Sequence, residues 1–554
     1  MKVSSDILRV YKTLHTWVGI TSGLLLFIGF FAGALTMFKQ PLDGWARAPQ
    51  LRLAPVQEQQ LDGLIRSVLA QYPDAREELV VNIEHAEHVS APVLWEEHGA
   101  EEGEHGHGPD LFGSRWMATL DDSGQMQAVN VKPSFLGDLI DMLHRTAGIP
   151  GTFAGEYIGI YLMGIAGALY FLALVSGLIV LLPTLVKDFF ILRRGKNRKR
   201  FWLDAHNIIG ITSLPFHLVI AFTVVVFAFH DQFYGALSEA VYGETPMFGA
   251  RSPGAKPPVI HDLSTLRPVS ELLHTIRDAA PDFEVRELLY MGLDTPRPMV
   301  RAAIYHPDYL VRGPYTGYVG VDPFSGALTM TGMLPGMSNG WSDTVMTFFA
   351  LHFGSFAGLP VRWTYFLLGL SGAFLFYSGN LLWIESRRKK QKRGQVLPQQ
   401  ARNTRWMAAA TVGVCLGSMG AVAATMASAK WAAALGTDSI NDWYLTLYYS
   451  LFCAAVVFAF WRGAARASVP LLLACATACA LLPLTSVVGL ILPATGLWGF
   501  GSLSSVMVDL TALLLAGGFV FAARRTRRRL QQAAADTVWT LAQEEQETQP
   551  VAAA

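Results

Sequence analysis

From 205 to 230 the chain runs 26 residues without an Asp, Glu, Lys or Arg, and this stretch still carries His206, His217 and His230. A helix of that length crosses a hydrocarbon core of about 30 Å with room to spare. Imidazole in hydrocarbon is costly without a partner, so each of these histidines is a functional candidate. His206 and His217 are eleven residues apart, about three helical turns, so one straight helix points both the same way and offers ligands at two depths. His230 is rotated away and closes the span, where an interfacial, structural role fits better.

The rest of the chain is of the same kind. Among its 554 residues the hydrophobic fraction is 52% and the charged fraction 16%, outside the range of soluble globular domains. Apolar spans fall at about 14–38, 157–183, 204–230, 363–384, 406–428, 443–461, 467–493 and 502–523, eight in all. The first stays apolar up to Lys39 and is expected to be retained rather than cleaved as a signal peptide. Lys and Arg pile up at 187–200 (seven), 387–405 (eight) and 524–529 (five), each beside a span. The positive-inside rule places these runs and both termini in the cytoplasm. Basic residues set beside apolar spans are topology signals, and nothing points to nucleic acid. All four cysteines lie in the last apolar third, which argues against a disulfide framework or a thiolate metal site. The tail after Leu530, rich in Gln, Ala and Glu, is expected to be poorly ordered.

Two segments, about 40–156 and 231–344, fall on the external side and share a grammar. Leu61 to Gln71 and Val269 to Ala279 have helical apolar spacing and are closed by Pro73-Asp74 and Pro281-Asp282. Strand-like runs follow at Leu79 to Ile83, Met299 to Tyr305 and Tyr318 to Val321, with turns at Asp121 to Gly124 and Asp322 to Gly326. One helix on a small antiparallel sheet is expected in each. The spans repeat as well. His15 is followed by Gly19 and Ile20-Thr21-Ser22, and His206 by Gly210 and Ile211-Thr212-Ser213 at the same offsets. Leu143-His144 precedes Ser176-Gly177 as Leu351-His352 precedes Ser378-Gly379, with a looser spacing. The unit of helix, external domain and helix is duplicated.

His15 and His206 lie at similar depth near the cytoplasmic ends of their helices, and His144 and His352 lie on the external side. Bis-histidine ligation of a haem iron needs two neutral imidazoles on opposite sides of a flat macrocycle, which facing helices of a bundle provide. Each ligating ring also needs an acceptor for its other nitrogen, and the sequence does not reveal it. His217, deeper in the membrane, competes as a ligand of the outer haem or makes a third site. For all five the ordinary alternative is a histidine satisfied by a hydrogen bond, for His217 between helices. The spans offer almost no carboxylates, which favours haem over a bare metal.

Leu14-His15-Thr16-Trp17-Val18-Gly19, Leu214-Pro215-Phe216-His217 and Leu351-His352-Phe353-Gly354 resemble the PepSY-associated transmembrane (PepSY-TM) family, over about residues 7–393. The run from Tyr318 to Gly326 is similar to the closing hairpin of a PepSY domain. The second copy departs from the first, with Ala205-His206-Asn207-Ile208 where the first has Leu14-His15-Thr16-Trp17. The resemblance implies a multi-pass protein of the bacterial inner membrane and, among relatives, a b-haem reductase of ferric siderophores on the periplasmic side.

The expected fold is therefore a membrane all-α bundle of about eight transmembrane helices with two small α+β PepSY-like periplasmic domains. Its parts are a first span (1–39), a periplasmic domain with a His/Glu-rich insert at 84–107 (40–156), a helix pair with a basic loop (157–230), a second periplasmic domain (231–344), a fourth span (345–393), a four-helix extension (405–523) and a tail (524–554). Two haems b are expected, on His15, His206, His144, His352 and His217, with a ferric siderophore or chelate as acceptor. No GxGxxG, P-loop or flavin domain is present, so a quinol or separate reductase is the expected donor.

His85, His88, His98, His105 and His107, set among glutamates, can bind first-row metals weakly or form a solvated loop. The last four spans contain no histidine. There Gly413 and Gly417 have the spacing of close helix packing, and Asp509 is an acid well inside an apolar stretch, suited to a structural role or to proton or quinol chemistry. Two other functional classes compete with a ferric reductase. A non-redox membrane protein restraining a partner such as a protease would bind no haem. A metal transporter would need polar residues along several spans, which are largely lacking.

Overall fold

The computed structural model describes residues 4–86, 88–96, 114–153, 155–188, 191–193, 198–243 and 261–541. The chain opens with α1 (Ser5–Thr36), whose N-terminus is capped by the Ser4 hydroxyl and carries Asp6 in its first turn. α2 (Lys39–Ala46) is short and buries Leu42, Trp45 and Ala46. α3 (Glu58–Gln71) buries Leu61, Leu64, Ile65, Val68 and Leu69, a stripe at the i, i+3, i+4, i+7 spacing. Pro73 disfavours helix at Tyr72 and ends it. Four strands follow, β1 (Glu78–Asn82), β2 (Val93–Glu96), β3 (Arg115–Leu120) and β4 (Met126–Val131). α4 (Leu136–Thr146) and the two-residue strands β5 (Thr152–Phe153) and β6 (Glu156–Tyr157) lead into the long apolar α5 (Ile158–Leu181) and a short α6 (Leu185–Asp188).

The second copy repeats this order, with its first span divided and, among the described residues, no counterpart of β5 and β6. Its first span is two helices, α7 (Arg198–Thr212) and α8 (Leu214–Ala228), bent by 72° at Ser213. Pro215 sits in the first turn of α8, where its missing N–H costs nothing, and cannot donate to the end of α7. This corrects the expectation of one straight helix with His206 and His217 on one face. α9 (His230–Leu237) follows, then α10 (Val269–Ala279), β7 (Glu284–Met291), β8 (Met299–Tyr305), β9 (Gly317–Val321), β10 (Leu328–Met330), α11 (Gly340–Phe353) and α12 (Gly358–Ser386).

The expected helix-on-sheet units are present, but their strands form one eight-stranded antiparallel sheet in the order β10-β9-β8-β7-β1-β2-β3-β4. The join is β1 against β7, with Val80 opposite Leu289. Each unit thus covers the other's exposed edge, which otherwise invites pairing with another chain. One apolar core serves both, from Leu64 and Val68 on α3 to Leu272 and Ile276 on α10. Asp62 on α3 also accepts the Val269 backbone N–H at the start of α10.

The last third consists of α13 (Arg402–Ala434), α14 (Ile440–Ile491) and α15 (Leu503–Gln531). α14 counts 52 residues, but Gly463 at φ 75°, ψ 156° breaks it into segments 440–462 and 464–491. A Cβ on Gly413 would stand 2.9 Å from the Val456 backbone, so the small-residue pair on α13 does mark a close helix crossing. Among the described residues, six helices are long and apolar enough to cross a membrane, seven with the bent α7–α8 pair counted as one span. The chain is a multi-pass membrane protein. The start of the tail is not loose, contrary to expectation. Asp536 is buried, pairs with Arg388 and accepts the Gln391 N–H, while Val538 and Trp539 pack against the apolar cluster that includes Trp383 and Ile384. An acid offered to the basic end of α12 gives this stretch a charge partner that composition conceals.

Candidate functional site

Two pairs of histidines meet inside the helix bundle, one on the side of the sheet and one on the far side. Far from the sheet, His15 of α1 and His206 of α7 stand with ring centroids 6.2 Å apart and planes at 79°. On the sheet side, His144 at the end of α4 and His352 at the end of α11 also stand 6.2 Å apart, at 41°. The pairings are those of the sequence repeat: each copy contributes one histidine to each pair.

All four rings use the same nitrogen for anchoring. His15 Nδ1 lies 2.8 Å from the Ala173 carbonyl of α5, and His144 Nδ1 lies 2.8 Å from the Gly29 carbonyl of α1. A carbonyl only accepts, so both nitrogens carry the proton. His206 Nδ1 is 3.0 Å from the Ser378 hydroxyl and His352 Nδ1 is 2.7 Å from the Thr223 hydroxyl. Those hydroxyls are also within reach of the Leu375 and Val219 carbonyls of their own helices, and a hydroxyl that donates there accepts the Nδ1 proton. In the neutral ring this leaves the lone pair of all four on Nε2. Within each copy the incoming helix anchors the histidine of the outgoing segment, and the outgoing helix anchors the histidine of the incoming one.

Glycine makes room for the rings. A Cβ on Gly33 would lie 2.6 Å from His144 Nδ1, and one on Gly177 would lie 2.9 Å from His15 Cε1. A metal–imidazole bond is about 2 Å and the ring centre lies about 1 Å beyond its nitrogen, so rings sharing a metal from opposite sides stand roughly 6 Å apart. Both pairs meet that spacing. Among the described residues no group of three or more His, Cys, Asp or Glu is arranged to hold a metal ion.

His217 joins neither pair. It is fully buried and neither of its nitrogens has a hydrogen-bond partner among the described residues. This overturns the helix–helix hydrogen bond considered for it. Its ring contacts Phe30, Tyr170 and Phe216, and Phe376 packs on Phe30 and Tyr170. The bend at Ser213 turns His217 away from the direction of His206 and into this aromatic cluster between the two levels. His230 Nδ1 lies 2.8 Å from the Phe227 carbonyl and its Nε2 3.3 Å from Asp231.

A cavity of about 640 Å³ reaches from Leu26 and Tyr170 past His144 and His352 to Lys39, Arg145 and Arg362. That is the size of a cofactor pocket. Arg362 stacks on Tyr315 at 4.4 Å, and Lys39 pairs with Asp138 on α4. Asp43 on α2 accepts the Gly137 N–H, while burial and then the neighbouring Asp138 push its carboxyl up to about 6.

Of the His/Glu-rich tract, His85 and His88 are described and make no metal group with other described residues. His98, His105 and His107 lie outside the described residues. Sequence reasoning missed the anchors Ser378 and Thr223; Ser378 carried a signal, since Ser378-Gly379 repeats Ser176-Gly177. It also missed Lys430, just beyond the counted span 406–428. Lys430 is fully buried, bonded to Ser486 and set over the Trp45 ring, and Asp509 accepts the Trp45 indole N–H. The structural role for Asp509 is the one its hydrogen bond fits.

No curated protein matches the chain. The PepSY-associated TM region family matches residues 12–386, more than half of the chain and all four paired histidines, and the protein belongs to that family.

Proposed function

We propose that the protein binds two haems b, one between His15 and His206 and one between His144 and His352, and carries electrons across the bacterial inner membrane to a periplasmic ferric siderophore or chelate. The observation that supports it best is the common state of the four rings, each held at Nδ1 with its lone pair left on Nε2, in pairs with 6.2 Å between ring centres. Bound haem supplies a one-electron iron couple at each level.

The chain's own residues do the rest. Ala173, Gly29, Ser378 and Thr223 hold the Nδ1 protons and fix the ring planes. Phe30, Phe216 and Phe376 keep water from the space between the levels. The cavity lining carries Lys39, Arg145 and Arg362 together with Asp141, Glu156 and Asp231, so it offers polar groups of both signs. Reducing Fe(III) to Fe(II) weakens its hold on hard oxygen ligands, so one electron per ferric ion releases the metal. A quinol as donor gives two electrons and two protons, enough for two ferric ions; a separate reductase is the other source.

In this reading the two segments of α14 are separate spans, which with the α7–α8 pair makes eight. The basic runs and both termini are then cytoplasmic and the sheet is periplasmic, as two PepSY domains. The test is an absorbance spectrum of the purified protein, oxidised and dithionite-reduced, with a pyridine haemochrome assay. Sharp low-spin b-type bands and about two haems per chain are expected. A protein that stays colourless after haem supplementation would overturn the proposal and favour a partner-binding role.

A further inference from the structure

The two helices that end in the sheet-side histidines are held very differently. α11, which carries His352, buries only Met346 and Ala350 among its fourteen residues. α4, which carries His144, buries Leu136, Gly137, Leu139, Ile140, Leu143 and Thr146 among eleven. α4 packs on α1, α2 and α5 and, unlike α11, also on the C-terminal extension, which lies outside the residues matched by the family. Leu136, Leu139, Ile140 and Leu143 share one apolar cluster with Val422 and Met426 of α13 and Tyr444 and Tyr448 of α14.

Polar contacts then fix α4 at both ends. Before its first turn, the Asn441 side chain accepts the Phe135 N–H at 2.9 Å and donates to the Pro133 carbonyl at 2.9 Å. The Tyr444 hydroxyl lies 2.8 Å from that of Ser134. After its last turn, the Tyr449 hydroxyl donates to the Gly148 carbonyl at 2.9 Å. Asn441, Tyr444, Tyr448 and Tyr449 recur at the i, i+3, i+7, i+8 spacing, so one face of α14 meets α4 along its whole length. The Phe135 N–H is one of the donors that a helix start leaves orphaned, and the Pro133 and Gly148 carbonyls flank the helix on either side.

We propose that the C-terminal extension is a positioning brace for His144, with Asn441, Tyr444 and Tyr449 fixing the two ends of the helix that presents it. The proposal rests on the reading that His144 and His352 hold a haem. Asn441 and the tyrosines are positioning residues: they act through α4.

The experiment uses the full-length protein with Asn441→Ala combined with Tyr449→Phe, and Tyr449→Phe alone as a variant that removes one hydroxyl and leaves the packing. Haem stoichiometry and the midpoint potentials of both centres are measured, with His144→Ala marking the signal of the outer one. The expected result is about tenfold weaker haem retention at the outer centre with a shifted potential, and an unchanged inner centre. Asn441→Asp, which keeps the acceptor for Phe135, should restore part of the loss. Trp443→Phe, which breaks a bond to Ser428 within the extension, should move neither centre. Two haems with unchanged potentials in both brace variants would overturn the brace, and so would equal loss from both centres, the mark of a general scaffold. A wild-type protein without haem would overturn the underlying reading and this proposal with it; two haems in the wild type separates the two failures.

Discussion

His15 and His206 meet far from the sheet, and His144 and His352 meet beside it, with ring centres 6.2 Å apart in both pairs. In each pair one ring is tied to a backbone carbonyl and the other to a hydroxyl, and the first copy always supplies the carbonyl. The surroundings differ. The far-side histidines sit inside their helices, α1 and α7, whereas the sheet-side ones lie in the last turns of α4 and α11, beside a cavity whose lining carries charges of both signs. A duplicated unit can repeat the chemistry of a site and still vary its access, because access depends on the elements that flank each histidine and not on the histidine itself.

The sharpest way to break this comparison is to remove the rings. His144→Ala or His352→Ala should abolish the outer haem alone, and His15→Ala or His206→Ala the inner haem alone, read as stoichiometry falling from about two to about one. Loss of both haems from every variant would sink the idea of two separate sites. The glycines come next. Gly33→Ala drives a Cβ to 2.6 Å from His144 and Gly177→Ala one to 2.9 Å from His15. Each should destabilise its own site by about 1–3 kcal/mol, the first more than the second, seen as haem loss on dilution.

The hydroxyl anchors sharpen the comparison further. Thr223→Val at the outer pair and Ser378→Ala at the inner pair should each weaken haem affinity about tenfold at one level only, and Thr223→Ser should keep it. His217→Leu should cost neither haem and should raise stability by about 1 kcal/mol in denaturant titration, because it removes two unbonded polar nitrogens. A haem lost in that variant would make His217 a ligand.

The smallest effect concerns Asp43, beside the sheet-side pair only. Its carboxyl, raised from 3.8 to about 6 by burial and by Asp138, binds a proton more tightly in the fold than in the unfolded chain. That contribution is complete below about pH 4 and is lost as pH rises to about 6. Asp43→Asn should therefore match the wild type at pH 4 and exceed it at pH 8 by on the order of 1 kcal/mol in thermal melts. An Asn variant weaker at pH 8 would show that the charge, not its burial, governs the contact with Gly137, Lys39 and Arg47.

Much of this was legible in the residues. Apolar run length placed the membrane helices, and α10 spans Val269–Ala279 as its apolar spacing predicts. The identical offsets after His15 and His206 identified the duplication and set those two at like depth, while which histidine faces which was not legible. Local signals suffice there because hydrophobic length and helical period are properties of neighbouring residues. Tertiary structure alone decided the rest. The bend at Ser213 took His217 out of line, since Pro215 was compatible with either a kink or a helix start. The pairing of β1 with β7 joined two sheets into one because both strands offered an open edge. Ala173, Gly29, Ser378 and Thr223 became anchors through contacts spanning more than a hundred residues. Asp536 found Arg388, and α14 found α4, in the same way. Sequence states which groups need a partner; only the packed chain brings one within reach, because a hydrogen bond is decided by distances of a few tenths of an ångström.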